Sequence, residues 1–465
     1  MKTYAPVTEA VLDALKTIVG AEYVLTEPEK LEQYQTDEET DPRKFHLPEA
    51  VVLPKDAQEI AAVIKLANTY DVPVTVRSGG TSLAGAIPVC GGIVLLMERL
   101  NKIIELNAEG MYMEVEAGVR TVDIQKYANE AGFLYAGDPC SAESCLIGGN
   151  IATNAGGNKA VRYGVTRDQV YAVEVVTPTG EIVELGARLK KKSTGYCLEQ
   201  LIMGSEGTLG IITKATLKLQ PIPPYRFDLL AVFSDPEQAL DVVPKIMQAG
   251  INPTSVEYMD NSYVRGTAEY LEFKGAPHYE NGIYVIITVE TFSEDELDLK
   301  MEQLDELCSA AGAVDVLEAD ERIWDMRRNC QESVRLISLV SLTDDVVVPV
   351  NEIAGTIKFI MKIGEKYPFP VKINAHIGDG NLHIVLCKCE LSDEEWENKV
   401  EAFHKEVYTY AYSIGGRLAG EHGIGAKKLR EMETYTPAGE LAIMRTIKAA
   451  MDPQLILNPG KIFDL

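Results

Sequence analysis

Apolar residues recur along this chain first at helical and then at strand spacing, which predicts alternating helices and strands. The first helix is expected over residues 7–19, where Thr8 is a candidate cap and the helical stripe consists of Val11, Leu12, Leu15, Ile18 and Val19. The elements predicted next are a strand at 50–53, a helix at 57–70, strands at 74–76, 93–97, 103–106 and 112–116, and a helix at 122–131. Two of these strands and the helix between them form a β-α-β unit that ends in a glycine-rich loop.

A proline-rich segment at 221–224 marks a boundary in the middle of the chain. The elements predicted beyond it are a strand at 227–233, a helix at 236–249, strands at 255–259 and 283–289, and a helix at 294–311. Strand-helix-strand units of this kind favour an antiparallel sheet of the ferredoxin-like type.

Two of the six histidines, His376 and His383, lie on the two strands of a predicted hairpin, at 372–376 and 382–386. The turn between these strands, at 377–381, contains two glycines. Such a hairpin brings both imidazoles to the same end of a sheet. With Glu421 they form a two-imidazole, one-carboxylate set, which suits zinc, iron or manganese and leaves positions open for a substrate. Adjacent side chains diverge, so His422 is expected to act as a base instead. The alternative is a tight turn with ordinary structural histidines.

Three glycine-rich segments lie before the boundary. The first, RSGGTSLAG at 77–85, offers successive backbone N–H groups as an anion cradle, and it matches neither the Rossmann nor the P-loop pattern. The second, at 136–157, has paired glycines whose backbone can line a flat ring system. The third, at 203–212, enters a strand. Each alone also fits a turn, but three in one region favour a cofactor site.

Composition narrows the class of function. A chain of 465 residues suggests two or three domains, and its net charge of −26 argues against binding to nucleic acid or anionic membranes. An anionic substrate would need local positive charge from arginine, metal or backbone N–H groups. The absence of an 18-residue apolar run and of a signal-peptide core predicts no transmembrane helix and a cytoplasmic location. The eight cysteines form no CxxC pair, so neither a zinc ribbon nor an iron–sulfur cluster is supported.

Six motifs, in chain order, carry a resemblance to a known family: RSGGTSLAG, IGGNIATNAGG, GSEGTLGIIT, GDGNLH, GEHGIG and LNPGKIF. They resemble those of FAD-linked 2-hydroxyacid dehydrogenases of the vanillyl-alcohol-oxidase type, which include D-lactate dehydrogenases, the glycolate oxidase D subunit and D-2-hydroxyglutarate dehydrogenases. The resemblance implies an α+β fold with a two-subdomain FAD-binding domain and an inserted cap domain built on an antiparallel sheet. We therefore expect an FAD-binding domain at 1–220, a cap or substrate domain at 221–410, and a segment at 411–465 that returns to the FAD domain.

The resemblance also implies contacts with the cofactor. The expected contacts are Arg77, Ser78, Gly79, Gly80, Thr81 and Ser82 with the pyrophosphate, Pro139, Gly148, Gly149, Asn150, Thr153, Asn154 and Gly156 with the flavin side, and Glu206, Ile211 and Ile212 with the adenosine end. Asn458 and Lys461 are expected to close over the cofactor. Some relatives attach FAD covalently through a histidine in the first loop, but residues 78–82 contain none. We therefore predict non-covalent, dissociable FAD.

The resemblance also implies a divalent metal held by His376, His383 and Glu421. A 2-hydroxy acid would bind this metal through its hydroxyl and one carboxylate oxygen. His422 would take the hydroxyl proton while a hydride leaves C2 for flavin N5. Asn381 is expected to hold the substrate or a metal ligand.

The segment Trp324–Arg327 resembles the family's W-x-x-R pattern, and this resemblance implies that Arg327 is the clamp for the substrate carboxylate. A guanidinium suits that role because it binds a carboxylate with two hydrogen bonds. The alternative is a surface arginine on a helix. The chain departs from the D-2-hydroxyglutarate type at Thr343, where those enzymes carry a lysine before the proline that corresponds to Pro349. Loss of a second cation disfavours a dicarboxylate and favours D-lactate or glycolate.

The resemblance implies that electrons pass from flavin to another protein. No nicotinamide motif is present, so NAD would have to react on a partner. The leading hypothesis is a D-lactate dehydrogenase that works with electron-transfer flavoprotein. One alternative is a glycolate oxidase D subunit with partner subunits. Another is a non-catalytic flavin electron-transfer subunit, against which the metal set argues. The sequence does not determine the identity of the metal or the oligomeric state, and it is compatible with an oligomer.

Overall fold

The computed structural model describes residues 2–465, and the chain forms two compact units. The first unit contains the residues up to Gly156, Gly164–Ile222 and Glu421–Leu465, and the second contains Gly157–Tyr163 and Pro223–Gly420. Among the described residues, no helix combines the length and the apolar character that crossing a bilayer requires.

The helices are α1 (Glu9–Val19), α2 (Pro28–Leu31), α3 (Ala57–Tyr70), α4 (Thr121–Glu130), α5 (Ile147–Thr153), α6 (Ala160–Tyr163), α7 (Leu198–Ile202), α8 (Pro236–Asp241), α9 (Val243–Gln248), α10 (Asn261–Tyr270), α11 (Glu294–Ala310), α12 (Glu321–Arg328), α13 (Cys330–Val334), α14 (Ile353–Gly364), α15 (Asp393–Ser413), α16 (Leu429–Tyr435) and α17 (Ala438–Met451). Short 3₁₀ turns occur at Ala21–Tyr23, Glu32–Tyr34, Pro42–Lys44, Thr166–Gln169 and Val350–Glu352.

The strands are β1 (Val24–Leu25), β2 (Ala50–Val52), β3 (Val74–Arg77), β4 (Ile93–Leu96), β5 (Ile103–Asn107), β6 (Tyr112–Glu116), β7 (Phe133–Leu134), β8 (Val170–Val176), β9 (Ile182–Gly186), β10 (Ile211–Lys218), β11 (Gln220–Pro221), β12 (Tyr225–Phe233), β13 (Ser255–Met259), β14 (Ile283–Thr291), β15 (Asp315–Glu318), β16 (Ser341–Val347), β17 (Val371–His376) and β18 (Asn381–Cys387).

The first unit is built on two sheets. One has the order β1-β2-β4-β3, with β2, β4 and β3 parallel, and the other is antiparallel with the order β5-β6-β10-β8-β9. Thr8 caps α1 as predicted, and Leu15 of that helix shares one core with Ile60 and Ile64 of α3 and with strands of both sheets. Burial of this shared apolar surface stabilises the framework from which the glycine-rich loops emerge.

The second unit is built on one seven-stranded antiparallel sheet with the order β15-β12-β14-β13-β17-β18-β16. Its first four strands have the ferredoxin-like order, in which the fourth strand lies beside the first and the third beside the second. The predicted antiparallel cap is therefore confirmed. Strands β13 and β17 join this half of the sheet to the half that carries the hairpin.

Two details differ from expectation. The helix expected over 236–249 is divided into α8 and α9, because Pro244 lacks the N–H that a continuous helix needs and occupies the first turn of α9 instead. The second unit extends to Gly420 rather than to residue 410, since the backbone of Arg417 pairs with Val347 of β16. It also recruits 157–163, which the sequence pattern did not indicate.

Candidate active site

The three glycine-rich segments line one cleft of the first unit. Of the expected cofactor contacts, those that line it are Arg77, Ser78, Gly79, Gly80, Thr81, Ser82, Pro139, Gly148, Gly149, Asn150, Thr153, Glu206, Ile211, Ile212, Asn458 and Lys461. Glu421 and His422 line the same cleft. The structure thus brings together groups that are far apart in the sequence.

Asn154 and Gly156 lie outside this lining, and their expected contacts with the flavin stay a prediction. Asn154 ends α5 in the left-handed conformation, and its Oδ1 accepts a hydrogen bond of 3.0 Å from the backbone of Arg167. A Cβ atom on Gly156 would approach Oε2 of Glu421 to 2.7 Å, so this glycine makes room for the carboxylate. Both residues shape the wall behind the cleft.

The first glycine-rich loop is partly occupied by the protein itself. Oδ2 of Asp37 accepts hydrogen bonds of 2.9 Å from the backbone N–H groups of Gly85 and Ala86. These two N–H groups are therefore not available to a bound anion, and the predicted anion cradle is limited to the N–H groups of residues 78–82. Arg77 donates to the carbonyl of Thr36, and burial lowers the pKa of its guanidinium although the charge of Asp37 opposes that shift.

The paired glycines of α5 have different surroundings. A Cβ on Gly148 would lie 2.7 Å from Cβ of Ala117, so this glycine permits close packing inside the protein. A Cβ on Gly149 would meet only Ser78, at 3.0 Å and beyond. Gly149 therefore leaves space toward the cleft, which suits a flat ring lying against the helix.

Glu206 and Lys461 join the loops around the cleft. The carboxylate of Glu206 accepts hydrogen bonds of 2.7 Å from the N–H groups of Ile424 and Gly425, and burial raises its pKa in spite of these donors. Burial lowers the pKa of Lys461 to about 8, although the nearby Glu206 carboxylate opposes that shift. The Lys461 ammonium donates to the carbonyl of Gly85 at 2.7 Å.

Asn458 bonds to two segments that border the cleft, and its expected closure over the cofactor stays a prediction. Its Oδ1 accepts from the N–H of Val76 at 2.9 Å, and its Nδ2 donates to the carbonyl of Glu206 at 3.0 Å. One amide side chain therefore ties β3 to the third glycine-rich loop.

In the second unit, β17 and β18 form the predicted hairpin. Asn374 is opposite His383 in register, and His376 is opposite Asn381. Residues that pair directly across an antiparallel ladder point to the same face, and so do residues two apart on a strand. All four polar side chains therefore share one face of the sheet. The two imidazole rings are 5.3 Å apart between centroids and nearly perpendicular, at 86°.

Both imidazoles are oriented by a second side chain. Nδ1 of His376 lies 2.8 Å from Oε1 of Glu257, and Nδ1 of His383 lies 3.2 Å from Oδ1 of Asn374. These acceptors assign the proton to Nδ1 and leave Nε2 as the nitrogen that can coordinate. Potential ligand atoms of the two rings lie within 4.8 Å of each other. This is the usual arrangement in which proteins present histidines to a metal ion.

Asn381 carries an unsatisfied polar atom. Its Oδ1 is buried and has no hydrogen-bond partner among the described residues. A Cβ on Gly420 would lie 2.7 Å from this side chain, so the glycine allows the close approach. A buried amide oxygen without a protein partner is costly, so this atom is available to a bound group or to an ordered water.

Arg327 is buried, with 4% of its side chain exposed, so the alternative of a surface arginine is wrong. Its Nε and Nη2 lie 2.9 and 2.7 Å from Oε2 of Glu257. Burial raises the pKa of Glu257, but its interactions with His376 and Arg327 outweigh that effect and hold the pKa below its usual value. The expected role as a carboxylate clamp stays a prediction.

The chain passes from the second unit to the first between Gly420 and Glu421. The N–H of Gly420 donates to Oδ2 of Asp345 at 2.9 Å, and Asp345 is opposite His383 on the neighbouring strand. The polar face of the sheet thus fixes the backbone immediately before Glu421. In the first unit, Nε2 of His422 lies 3.7 Å from Oε1 of Glu421.

Sequence reasoning missed Glu257, Asn374 and Asp345. A signal existed for two of them: Glu257 is a lone charge in the otherwise uncharged strand β13, and Asn374 is two residues before His376 on the same strand face. Asp345 follows another aspartate in β16, whose sequence is SLTDDVV, and this pattern does not distinguish which of the two aspartates faces the histidines.

Comparison with known proteins identifies the family to which the chain belongs. Residues 222–462 match the family model described as FAD linked oxidases, C-terminal domain, and residues 48–186 match an FAD binding domain. A D-lactate dehydrogenase of Anaerostipes hadrus is 37% identical over 472 aligned residues, covering 99% of this chain and 98% of the relative. Glycolate oxidase subunit GlcD of Bacillus subtilis (strain 168) is 34% identical, covering 91% and 90%.

Among solved structures, p-cresol methylhydroxylase is similar with a TM-score of 0.83 and 19% identity, covering 99% of both chains. The fold is therefore that of the vanillyl-alcohol-oxidase type of flavoprotein. The chain belongs to the family of FAD-linked oxidases, an oxidoreductase family, and FAD is its cofactor.

Proposed function

We propose that this chain is a dehydrogenase that oxidises a small D-2-hydroxy acid, with D-lactate as the preferred substrate. The observation that carries this proposal is the buried histidine pair, His376 and His383, whose Nδ1 atoms are both fixed by side-chain oxygens. A subunit that only transfers electrons would have no use for such a pair. The similarity to a D-lactate dehydrogenase supports the choice of substrate.

The residues fit a divalent metal, since two imidazoles with anchored Nδ1 atoms are followed by a carboxylate beyond Gly420. His376, His383 and Glu421 would hold zinc, iron or manganese. When bound, such an ion acts as a Lewis acid on the substrate hydroxyl and carboxylate. The unsatisfied Oδ1 of Asn381 supports this site, because it needs a partner that the chain does not supply.

The remaining roles belong to the side chains. His422 takes the proton of the substrate hydroxyl, and Arg327 and Asn381 hold the substrate in a fixed orientation. FAD, when bound in the first unit, supplies the acceptor for the hydride. With no histidine at residues 78–82, FAD is expected to be released by acid precipitation; flavin that stays with the polypeptide would contradict this.

The second candidate substrate is glycolate, because a glycolate oxidase subunit is 34% identical to this chain. Both candidates are monocarboxylates. Thr343, where the dicarboxylate-specific relatives carry lysine, donates to Oε1 of Gln331 at 3.1 Å and offers no charge to a second carboxylate. This favours a small substrate with one carboxylate.

The proposed electron acceptor is electron-transfer flavoprotein. It is tested by mixing the substrate-reduced enzyme with purified electron-transfer flavoprotein and following reduction of the acceptor flavin. A rate no faster than without the enzyme would exclude this acceptor and leave the substrate assignment unaffected.

The deciding experiment is an anaerobic visible spectrum recorded before and after addition of D-lactate, L-lactate or glycolate. Bleaching of the flavin band by D-lactate, much faster than by the other two, is expected. Faster bleaching by glycolate would replace the substrate, and no bleaching by any 2-hydroxy acid would overturn the proposed function.

A further inference from the structure

Glu257 occupies a central position in the sheet of the second unit. It lies on β13, where the two halves of the sheet meet, and it is opposite His376 in the ladder between β13 and β17. Its side chain is completely buried. A carboxylate in such a place is costly to desolvate unless specific partners compensate.

The two oxygens of Glu257 are divided between two partners. Oε1 accepts from Nδ1 of His376 at 2.8 Å, while Oε2 faces Nε and Nη2 of Arg327 at 2.9 and 2.7 Å. Because a carboxylate is planar, a hydrogen bond to one of its oxygens fixes the plane of the group and therefore the direction in which the second oxygen accepts. The same side chain therefore fixes the plane of an imidazole and the direction of a guanidinium.

The second histidine has a different partner. Nδ1 of His383 faces the neutral amide of Asn374 at the longer distance of 3.2 Å. An anionic acceptor increases electron density on the imidazole more than an amide does, which makes Nε2 of His376 the stronger donor. The two imidazoles are thus not equivalent.

We infer that Glu257 is a positioning residue that holds His376 for a divalent metal and at the same time orients Arg327 for the substrate carboxylate. This inference rests on the proposed function and assigns a role to a residue that does not itself touch the substrate. Glu257 would thereby set the distance between the two groups that hold the substrate.

The test measures metal binding directly. Wild-type flavoprotein freed of metal by a chelator is titrated with Mn²⁺, and free Mn²⁺ is followed by its EPR signal, which flavin does not obscure. In Glu257→Gln the dissociation constant for Mn²⁺ is expected to rise by about ten- to a hundredfold, the usual effect of removing an outer-shell partner. A matched control is Glu290→Gln, since Glu290 is another buried carboxylate of this sheet but bonds to Tyr163 and Thr254.

A double variant separates positioning from charge balance. Glu257→Gln alone leaves the buried guanidinium of Arg327 without its counter-charge, which can disturb the fold. Glu257→Gln combined with Arg327→Met removes both charges, so the fold is expected to recover while Mn²⁺ binding stays weak. Recovery of wild-type affinity in the double variant, or equal affinity in Glu257→Gln and Glu290→Gln, would overturn the inference. Wild-type protein that binds no Mn²⁺ would overturn the proposed metal site instead.

Discussion

The carboxylate of Glu206 lies 2.7 Å from the backbone nitrogen of Ile424, two residues after His422. A second bond, to the N–H of Gly425, has the same length. The third glycine-rich loop therefore fixes the backbone that carries the proposed base, in addition to lining the cofactor cleft.

Replacing Glu206 with Gln is expected to slow flavin reduction by D-lactate about tenfold, with FAD still bound. The amide keeps one acceptor, but its NH₂ group faces one of the two backbone donors and leaves that buried N–H unsatisfied. Stopped-flow absorbance of the flavin measures the rate. An unchanged rate would show that the loop holds His422 without this carboxylate.

His422→Ala is expected to lower the rate constant of flavin reduction by about 10²- to 10⁴-fold, the range for loss of a general base. FAD should stay bound, since His422 is one of many residues that line the cleft. His278→Ala is the control, because that histidine is half exposed and lies 3.4 Å from Asp315. Normal bleaching by His422→Ala would refute the assignment of the base.

Chelation is expected to abolish reduction by D-lactate while the flavin spectrum stays intact. The reason is that the proposed metal and the flavin have separate ligands. Addition of Zn²⁺ or Mn²⁺ should restore the rate in wild-type protein and in His278→Ala, but not in His376→Ala. Full activity in chelator, with no metal found by elemental analysis, would exclude a metal-dependent mechanism.

Gly148→Ala is expected to lower mainly the stability of the protein, and Gly149→Ala mainly its affinity for FAD. The methyl group of the first would overlap Ala117 and should destabilise the cofactor-free protein by about 1–3 kcal/mol. The methyl group of the second would press against Ser78, which lines the cleft, and should weaken FAD binding about tenfold with a smaller loss of stability than in the first. Thermal unfolding of the cofactor-free protein and titration with FAD separate the two quantities. Equal loss of FAD affinity in both variants would contradict the distinct roles.

Lys461→Met is expected to change how stability depends on pH. Burial lowers the pKa of this lysine to about 8 from an ordinary value of 10.5, so between these pH values the unfolded chain binds more protons than the folded protein. The free energy of unfolding of the cofactor-free protein should therefore rise with pH in this window, by on the order of 2 kcal/mol. Urea unfolding at pH 7.5, 8.5 and 9.5 measures this rise, which should be smaller in the variant. Identical slopes would show that Lys461 titrates normally.

Much of the fold could be predicted from local patterns. The alternation of Asn374 with His376, and of Asn381 with His383, is enough to place four polar side chains on one strand face. The glycine-rich segments and the cap helix-strand units were recognisable for the same reason, since each feature depends on neighbouring residues alone.

The remaining features depend on the order of strands, which local patterns do not determine. The meeting of Glu257 with His376 requires β13 to lie beside β17, although more than a hundred residues separate them. The recruitment of Gly157–Tyr163 into the second unit similarly depends on bonds from Arg162 and Tyr163 to Glu290. The division of the helix at Pro244, by contrast, follows from the sequence, because proline lacks the N–H that a helix interior needs.

The bond between Val76 and Asn458 spans 382 residues. During synthesis, the first glycine-rich loop therefore leaves the ribosome long before the residue that fastens it to the third. Because Asn458 and Lys461 both line the cleft, its lining is completed only once this late segment has emerged. Full affinity for FAD should accordingly be acquired only after residues 456–461 have been synthesised, and nascent chains halted before residue 456 should bind the cofactor weakly.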